Sequence, residues 1–215
     1  MRGIAKLAAA LALALVLPAH AEKVLRYAFP IAETGFDPVQ ISELYSSNLI
    51  DNIYDTPLKY DYLARPVKLV PNTLTAMPEI TEGGTLYTMH VKPGIYFDND
   101  AAFHGRKREL TAADYVYSIK RSYDPLLKSP NLYFFEGFVA GMDEVMKQGR
   151  KSGRMDYDAP VDGLRVLDRY TFQIKLTKAN YNFLYYLAYC NLTCAVAREV
   201  DEFYGPERSM EHPVG

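Results

Sequence analysis

The chain has few of the side chains on which most catalytic and metal sites depend. Among 215 residues it has two cysteines, four histidines and no tryptophan. It has no Gly-x-Ser-x-Gly elbow, no His-Glu-x-x-His pair and no glycine-rich phosphate loop ending in Lys-Ser/Thr. His90, His104 and His212 do not stand at ligand spacing, and a zinc site needs more ligands than these. The sequence therefore predicts a protein that is not an enzyme, with no metal site and no cofactor.

An excess of positive charge is also absent. The 24 Lys and Arg residues are balanced by 26 Asp and Glu residues, which gives a net charge of −2. Nucleic-acid binding needs a basic surface, so no nucleic-acid partner is expected.

Long apolar runs are missing except near the N-terminus. Leu7 to Leu17 is apolar and follows Arg2 and Lys6. This run is shorter than the ~20 residues that span a bilayer, and a small-x-small pattern at 19–21 follows it. Residues 1–21 are therefore predicted to be a cleavable signal peptide that exports the protein.

The two cysteines, Cys190 and Cys194, would then lie in an oxidising compartment. On a regular helix their spacing gives poor disulfide geometry, so a bridge requires an irregular backbone at this segment. Buried free thiols and a local disulfide are equally open alternatives.

The best-specified element is a helix that begins after Leu110. Thr111 is the expected N-cap, and Asp114 stands three positions later, as in a capping box. Lys120 and Arg121 lie near the C-terminal end, where positive charge is favourable. The expected buried stripe consists of Val116, Ile119 and Tyr123.

The remaining patterns predict short strands and helices separated by turns. Strands are predicted at 24–29, 58–62, 67–70 and 87–97, with a hairpin of 164–167 and 170–176. Helices are predicted at 41–53, 139–146, 181–189 and 198–204, with an aromatic core cluster at 133–138 and a flexible basic loop at 148–153.

Two of these elements resemble the signature of a known family. The strand YTMHVKPGIYF at 87–97 and the helix LTAADYVYSIKR at 110–121 are similar to "ytFhLrkgvkFhdG" and "lTAeDvvyslkr". These are signatures of the family 5 extracellular solute-binding proteins, the periplasmic receptors of peptide-type ABC importers. The intervening loop departs from the family, because Asp98-Asn99-Asp100 replaces the usual Asp-Gly and the first glycine is Gly105.

The resemblance implies an α/β, periplasmic-binding-protein-like fold of the class with an extra N-terminal subdomain, with a mixed sheet and flanking helices. Residues 22–215 are expected to be the N-terminal part of the family 5 domain, with the first lobe only and the second lobe absent. Such a lobe is expected to expose a sheet edge and apolar surface, and therefore to be poorly soluble by itself.

The resemblance also implies a function. The protein is expected to be the periplasmic solute-binding component of an ABC importer, to capture oligopeptides and to deliver them to permease subunits in the inner membrane. A complete receptor is expected to be a monomer. A nickel chelate, haem or an oligosaccharide as cargo, and a secreted enzyme or sensor using this lobe, are the alternatives.

Peptide-binding relatives line their cleft with three chain segments, and the resemblance carries the locations of these segments onto this chain. The expected ligand-binding residues are Ser42, Glu43, Leu44, Tyr45, Asn131, Tyr133, Cys190 and Asn191. For Leu44, Tyr45 and Tyr133 the alternative is ordinary core packing. For Ser42, Glu43 and Asn131 the alternative is a solvated surface.

Overall fold

The computed structural model describes residues 23–205 and 208–215, so the predicted signal peptide lies outside the described residues. The chain divides into one unit that ends at Pro30 and a second that begins at Ile31.

In the first unit, residues 23–29 form no regular secondary structure, so the strand predicted at 24–29 is wrong. Val24, Leu25 and Tyr27 are exposed there. Alternating apolar residues form a strand only where a second strand supplies hydrogen bonds, which the pattern itself does not guarantee.

The second unit contains two antiparallel sheets with helices beside them, which confirms the predicted α/β class. A two-stranded sheet pairs β1 with β2, and a four-stranded sheet has the order β3-β4-β6-β5. The strands are β1 (Leu58–Tyr60), β2 (Leu69–Pro71), β3 (Glu79–Thr81), β4 (Leu86–His90), β5 (Leu164–Asp168) and β6 (Thr171–Lys175). The α-helices are α1 (Leu44–Ile50), α2 (Ala112–Arg121), α3 (Met142–Ser152), α4 (Phe183–Tyr186), α5 (Cys190–Thr193) and α6 (Arg198–Tyr204).

The core lies between the central strands and helix α2. Tyr87 and Met89 of β4 are buried, as are Phe172 and Ile174 of β6, while the residues between them are partly exposed. Tyr115 of α2 stacks on Phe172 with ring centroids 5.4 Å apart. The period of two along each strand therefore gives the sheet one buried face, and α2 packs on it.

Helix α2 begins where the capping signal predicted. The Asp114 carboxylate accepts a hydrogen bond from the Thr111 N–H at 2.7 Å, and the expected stripe is buried. Lys120 and Arg121 are buried as well, which the sequence pattern did not predict. The Lys120 ammonium donates to the carbonyls of Tyr157 and Ala159 at 2.8 Å each, so these backbone acceptors replace water around its charge.

Two predicted elements are shorter than expected. The strand predicted at 87–97 ends at His90, because Pro93 lacks an N–H and Gly94 turns the chain with a φ of +82°. The helix predicted at 41–53 spans only Leu44–Ile50.

Two further boundaries also differ. The loop predicted at 148–153 is helical as far as Ser152, and α3 ends at Gly153, whose φ is +77°. Of the helix predicted at 181–189, only α4 (Phe183–Tyr186) is helical, and α5 begins beyond it at Cys190. The hairpin of β5 and β6 is confirmed, with Val166 opposite Phe172.

In the part of the chain that is described, no helix is both long enough and apolar enough to cross a membrane.

Candidate functional site

Three distant chain segments meet at one backbone oxygen, the carbonyl of Ile41. The side-chain amide of Asn131 donates to this oxygen at 2.9 Å, and that of Asn191 donates to it at 2.8 Å. Both asparagines are buried. A carbonyl oxygen has two lone pairs, so both bonds can form together. The three segments that the family resemblance predicted to line a cleft are thus brought together.

The first segment enters helix α1 through a carboxylate cap. Glu43 is the N-cap, and its carboxylate accepts from the N–H groups of Tyr45 and Ser46 at 2.6 and 2.8 Å. This cap fixes the start of a short helix whose buried face includes Ile50. Leu44 is left 66% exposed, so the core-packing alternative for this residue is wrong.

Tyr133 of the second segment belongs to a group of neighbouring rings, which we call the aromatic surface, and the other three rings lie next to the predicted segments 131–133 and 190–191. The residues of the aromatic surface are Tyr133, Phe134, Tyr186 and Tyr189. The Phe134 ring centroid lies 4.2 Å from that of Tyr133, 5.2 Å from that of Tyr186 and 6.3 Å from that of Tyr189. Tyr133 is 65% exposed, whereas the other three are half-buried against the core. Core packing is therefore also the wrong alternative for Tyr133.

The other predicted residues have different surroundings. Ser42 is exposed, and Glu43 and Tyr45 are half-buried. Asn131 is buried, so the solvated-surface alternative is wrong for it. Asn131, Cys190 and Asn191 are buried. The two side-chain amide N–H groups donate to the Ile41 carbonyl and the Cys190 sulfur is bonded to Cys194, whereas the Asn191 Oδ1 accepts no hydrogen bond from the described residues.

Cys190 and Cys194 form a disulfide, which decides between the two alternatives left open by the sequence. Helix α5 is a single turn, and Cys194 follows it with an extended backbone. The backbone is therefore irregular at the second cysteine, as a bridge at this spacing requires. Asn191 lies within the bridged turn, so the disulfide holds the segment that carries one of the two amide donors.

The structure also contains a buried ion cluster around Arg121, which the sequence did not predict. The Arg121 guanidinium makes two hydrogen bonds to the Asp37 carboxylate, at 2.8 and 2.7 Å, and its Nε lies 2.8 Å from Asp201. The Tyr117 hydroxyl donates to Asp201 at 3.0 Å. Arg121 and Asp37 are each only 3% exposed, and Asp201 is 13% exposed.

The ion cluster shifts the protonation of its acids in opposite directions. Burial raises the pKa of Asp201 to about 6, with a contribution from the Asp37 carboxylate and against the effect of Arg121. Burial also opposes ionisation of Asp37, but Arg121 lowers the pKa of this carboxyl below its usual value. The only signal in the sequence was a charged residue beside the buried stripe of α2. Nothing in that signal identified Asp37, which is 84 positions away in the chain.

Within 23–205 and 208–215, no group of three or more His, Cys, Asp or Glu side chains is placed to hold a metal ion. The candidate site consists of one exposed ring, three half-buried rings and the backbone turn held at the Ile41 carbonyl.

Solved structures with this fold define the class of protein. DppA from Helicobacter pylori in complex with the peptide STSA superposes with a TM-score of 0.60 at 22% identity, covering 85% of this chain and 33% of that chain. Haemophilus influenzae OppA in complex with RPPGFSPFR gives a TM-score of 0.65 at 19% identity, covering 84% and 32%. The fold is that of the periplasmic binding proteins.

The family follows from the sequence. Residues 68–215 match the bacterial extracellular solute-binding proteins, family 5 Middle, and the chain belongs to this family. It is 25% identical over 147 residues to the periplasmic oligopeptide-binding protein OppA of Escherichia coli (strain K12), covering 67% of this chain and 23% of that protein. It is 24% identical over 125 residues to a dipeptide-binding protein of Lactococcus lactis subsp. cremoris (strain MG1363), covering 58% and 20%. The chain thus spans less than a quarter of the length of these two relatives.

Proposed function

We propose that this chain forms the first-lobe part of a periplasmic receptor that captures oligopeptides and delivers them to an ABC permease in the inner membrane. The observation that carries the proposal is the convergence of three segments at the Ile41 carbonyl, together with the exposed ring of Tyr133. In this proposal the predicted signal peptide exports the chain, and the complete receptor acts as a monomer without catalysing a reaction.

The aromatic surface suits a ligand that varies in sequence. An extended peptide can satisfy its backbone groups by hydrogen bonding to a receptor, while its side chains rest on broad apolar walls. Aromatic rings provide large contact areas with few rotatable bonds, so they bind side chains of several shapes at a low entropic cost. Leu44 and Tyr133 are the exposed residues of the predicted site that provide such area.

Native mass spectrometry of the protein purified from its own cells tests the cargo. We expect bound species that are released on denaturation and that fragment as short peptides. Haem, a nickel chelate or an oligosaccharide in their place would refute the peptide cargo and leave the receptor assignment standing. Steady consumption of the bound species by the purified protein would favour the secreted-enzyme alternative.

A substitution tests the aromatic surface. With a peptide identified in this way, Tyr133→Ala is expected to weaken the calorimetric Kd by about tenfold, since tyrosine is enriched among the contact residues whose truncation costs more than about 1 kcal/mol. Tyr62→Ala is the matched control, because Tyr62 is 87% exposed and lies outside the aromatic surface. Equal peptide affinities for the two variants would show that Tyr133 does not contact the peptide.

A further inference from the structure

A cavity of about 210 Å³ opens beside the buried ion cluster, and none of its lining residues belongs to the aromatic surface. Its walls come from helix α2, the turn that follows it, Tyr157 and helix α6. Tyr117, Tyr157, Leu126 and Leu127 give it an apolar lining, and Asp124 and Asp201 add carboxylates.

The Asp124 carboxylate is buried without a cation. It is 7% exposed, and it accepts hydrogen bonds from the Leu126 N–H at 2.9 Å and the Tyr157 hydroxyl at 2.6 Å. No ion pair joins it to a Lys, Arg or His side chain of the described residues. Two neutral donors use only part of the acceptor capacity of a carboxylate, which has about four lone-pair sites, so Asp124 can accept further hydrogen bonds from a ligand in the cavity.

The cations nearby are already engaged elsewhere. Arg121, the one cation among the described lining residues, is held by Asp37 and Asp201. Lys120 donates to two backbone carbonyls. Arg198 pairs with Asp158 and Glu202.

The aromatic walls favour the same kind of ligand as the carboxylates. The Tyr117 and Tyr157 rings lie 5.0 Å apart, and Arg198 already lies 5.9 Å from the Tyr117 ring centroid. Ring faces attract cations, and this attraction grows as water is removed. The apolar remainder of the lining, including Leu127, would contact a short hydrocarbon chain.

We propose that this cavity binds a small organic amine, with its ammonium group between the Asp124 carboxylate and the Tyr117 and Tyr157 rings and its carbon chain against Leu126 and Leu127. This ligand differs from the proposed peptide cargo and occupies a different surface. The charge, the aromatic walls and the volume of the cavity together favour a primary alkylammonium ion of a few carbons over an anion or a neutral solute.

Titration of the native protein with n-butylammonium, followed by ligand-observed NMR, tests the proposal. We expect saturable binding that is about tenfold tighter than that of butan-1-ol, because only the ammonium forms a charge-assisted hydrogen bond. Equal binding of the alcohol, or no saturation by the amine, would overturn the proposal.

Two variants and a control locate the site. Asp124→Asn is expected to weaken n-butylammonium binding about tenfold. Leu126→Trp is expected to obstruct the opening, and since Leu126 is 62% exposed it should fold even if the buried substitution does not. Asp162→Asn, at an exposed carboxylate outside the lining, is expected to leave binding unchanged.

The variants also separate this proposal from the peptide-binding function. Leu126→Trp should leave peptide affinity unaltered, because Leu126 is not part of the aromatic surface. Unchanged amine binding in both Asp124→Asn and Leu126→Trp would show that the amine binds elsewhere and would refute the site.

Discussion

Arg121 is a charged side chain that is 3% exposed, so its partners decide whether its burial is tolerated. Taking a charge out of water is costly, and removing one partner of a buried ion pair commonly costs 3–5 kcal/mol because the other charge remains. The two carboxylates of Asp37 and Asp201 connect the turn before the candidate site to helices α2 and α6. This single residue therefore supports three parts of the fold.

Substitution of Arg121 by methionine should destabilise the protein by about 3–5 kcal/mol, since Asp37 and Asp201 would then face each other without a cation. Urea unfolding followed by circular dichroism measures the change. Arg169→Met is the control, because the Arg169–Glu109 pair is as short, at 2.7 Å, but Arg169 is 59% exposed. A similar loss in both variants would show that burial is not the cause.

Asp201 makes a separate prediction about pH. Its pKa is about 6 in the folded chain against 3.8 for an ordinary aspartate, so the folded state holds this proton more tightly than the unfolded state. The resulting stability is complete below pH 4 and is lost as the pH rises to about 6. The groups that influence this carboxyl are Arg121, Asp37, Tyr117 and Glu202.

The free energy of unfolding of Asp201→Asn should therefore rise by about 2 kcal/mol relative to the parent protein between pH 4 and pH 7. Only the difference between the two proteins is informative, because the lowered pKa of Asp37 gives the opposite slope in both. Denaturant unfolding at several pH values measures it. A difference that stays constant with pH would contradict the raised pKa.

At the scale of elements, the candidate site depends on short segments that are held by contacts with one another. Helices α1 and α5 are seven and four residues long, which is too short to be stable alone in water. Both helices are stabilised by tertiary contacts: the Glu43 cap, the disulfide, and the two hydrogen bonds from asparagine side-chain amides to the Ile41 carbonyl. The position of Leu44 at the surface is a result of these contacts.

A double-mutant cycle tests the shared acceptor. Asn131→Ala and Asn191→Ala should each cost about 1 kcal/mol of stability, because the Ile41 carbonyl keeps one donor in either variant. The double variant should lose at least about 1 kcal/mol more than the sum, since the buried carbonyl then has neither amide donor. Thermal and urea unfolding measure the three values. Strict additivity would mean that the two amides act independently.

At the scale of the whole molecule, the four-stranded sheet presents β3 and β5 as its outer strands. All three residues of β3 are exposed, and so are four of the five residues of β5. Unpaired N–H and C=O groups along such strands can pair with another chain. The expected poor solubility of residues 22–215 expressed alone has its physical basis in these edges.

Placing a charge on the β3 edge should improve that solubility. Ile80→Lys is expected to raise the concentration at which the expressed piece begins to scatter light, because a lysine on an outer strand opposes edge-to-edge pairing. Met77→Lys adds the same charge at an exposed position outside the strands. An equal gain from both variants would point to net charge as the cause.

The sequence by itself determined the elements whose signals are local. The capping box of α2, the hairpin of β5 and β6 and the family motif at 110–121 were all predicted correctly, because each depends on residues a few positions apart. The locations of the three site segments came from the family resemblance. Whether their side chains contact a ligand is still a prediction.

Only the tertiary structure decided which side chains face solvent and which charges are buried. Leu44 follows the apolar period of a core residue but is exposed, whereas Asn131 is polar and buried. The ion pair between Asp37 and Arg121 and the cavity beside Asp124 join residues that are remote in the chain. Burial and pairing depend on contacts between distant segments, and a linear pattern contains no information about which of those segments will meet.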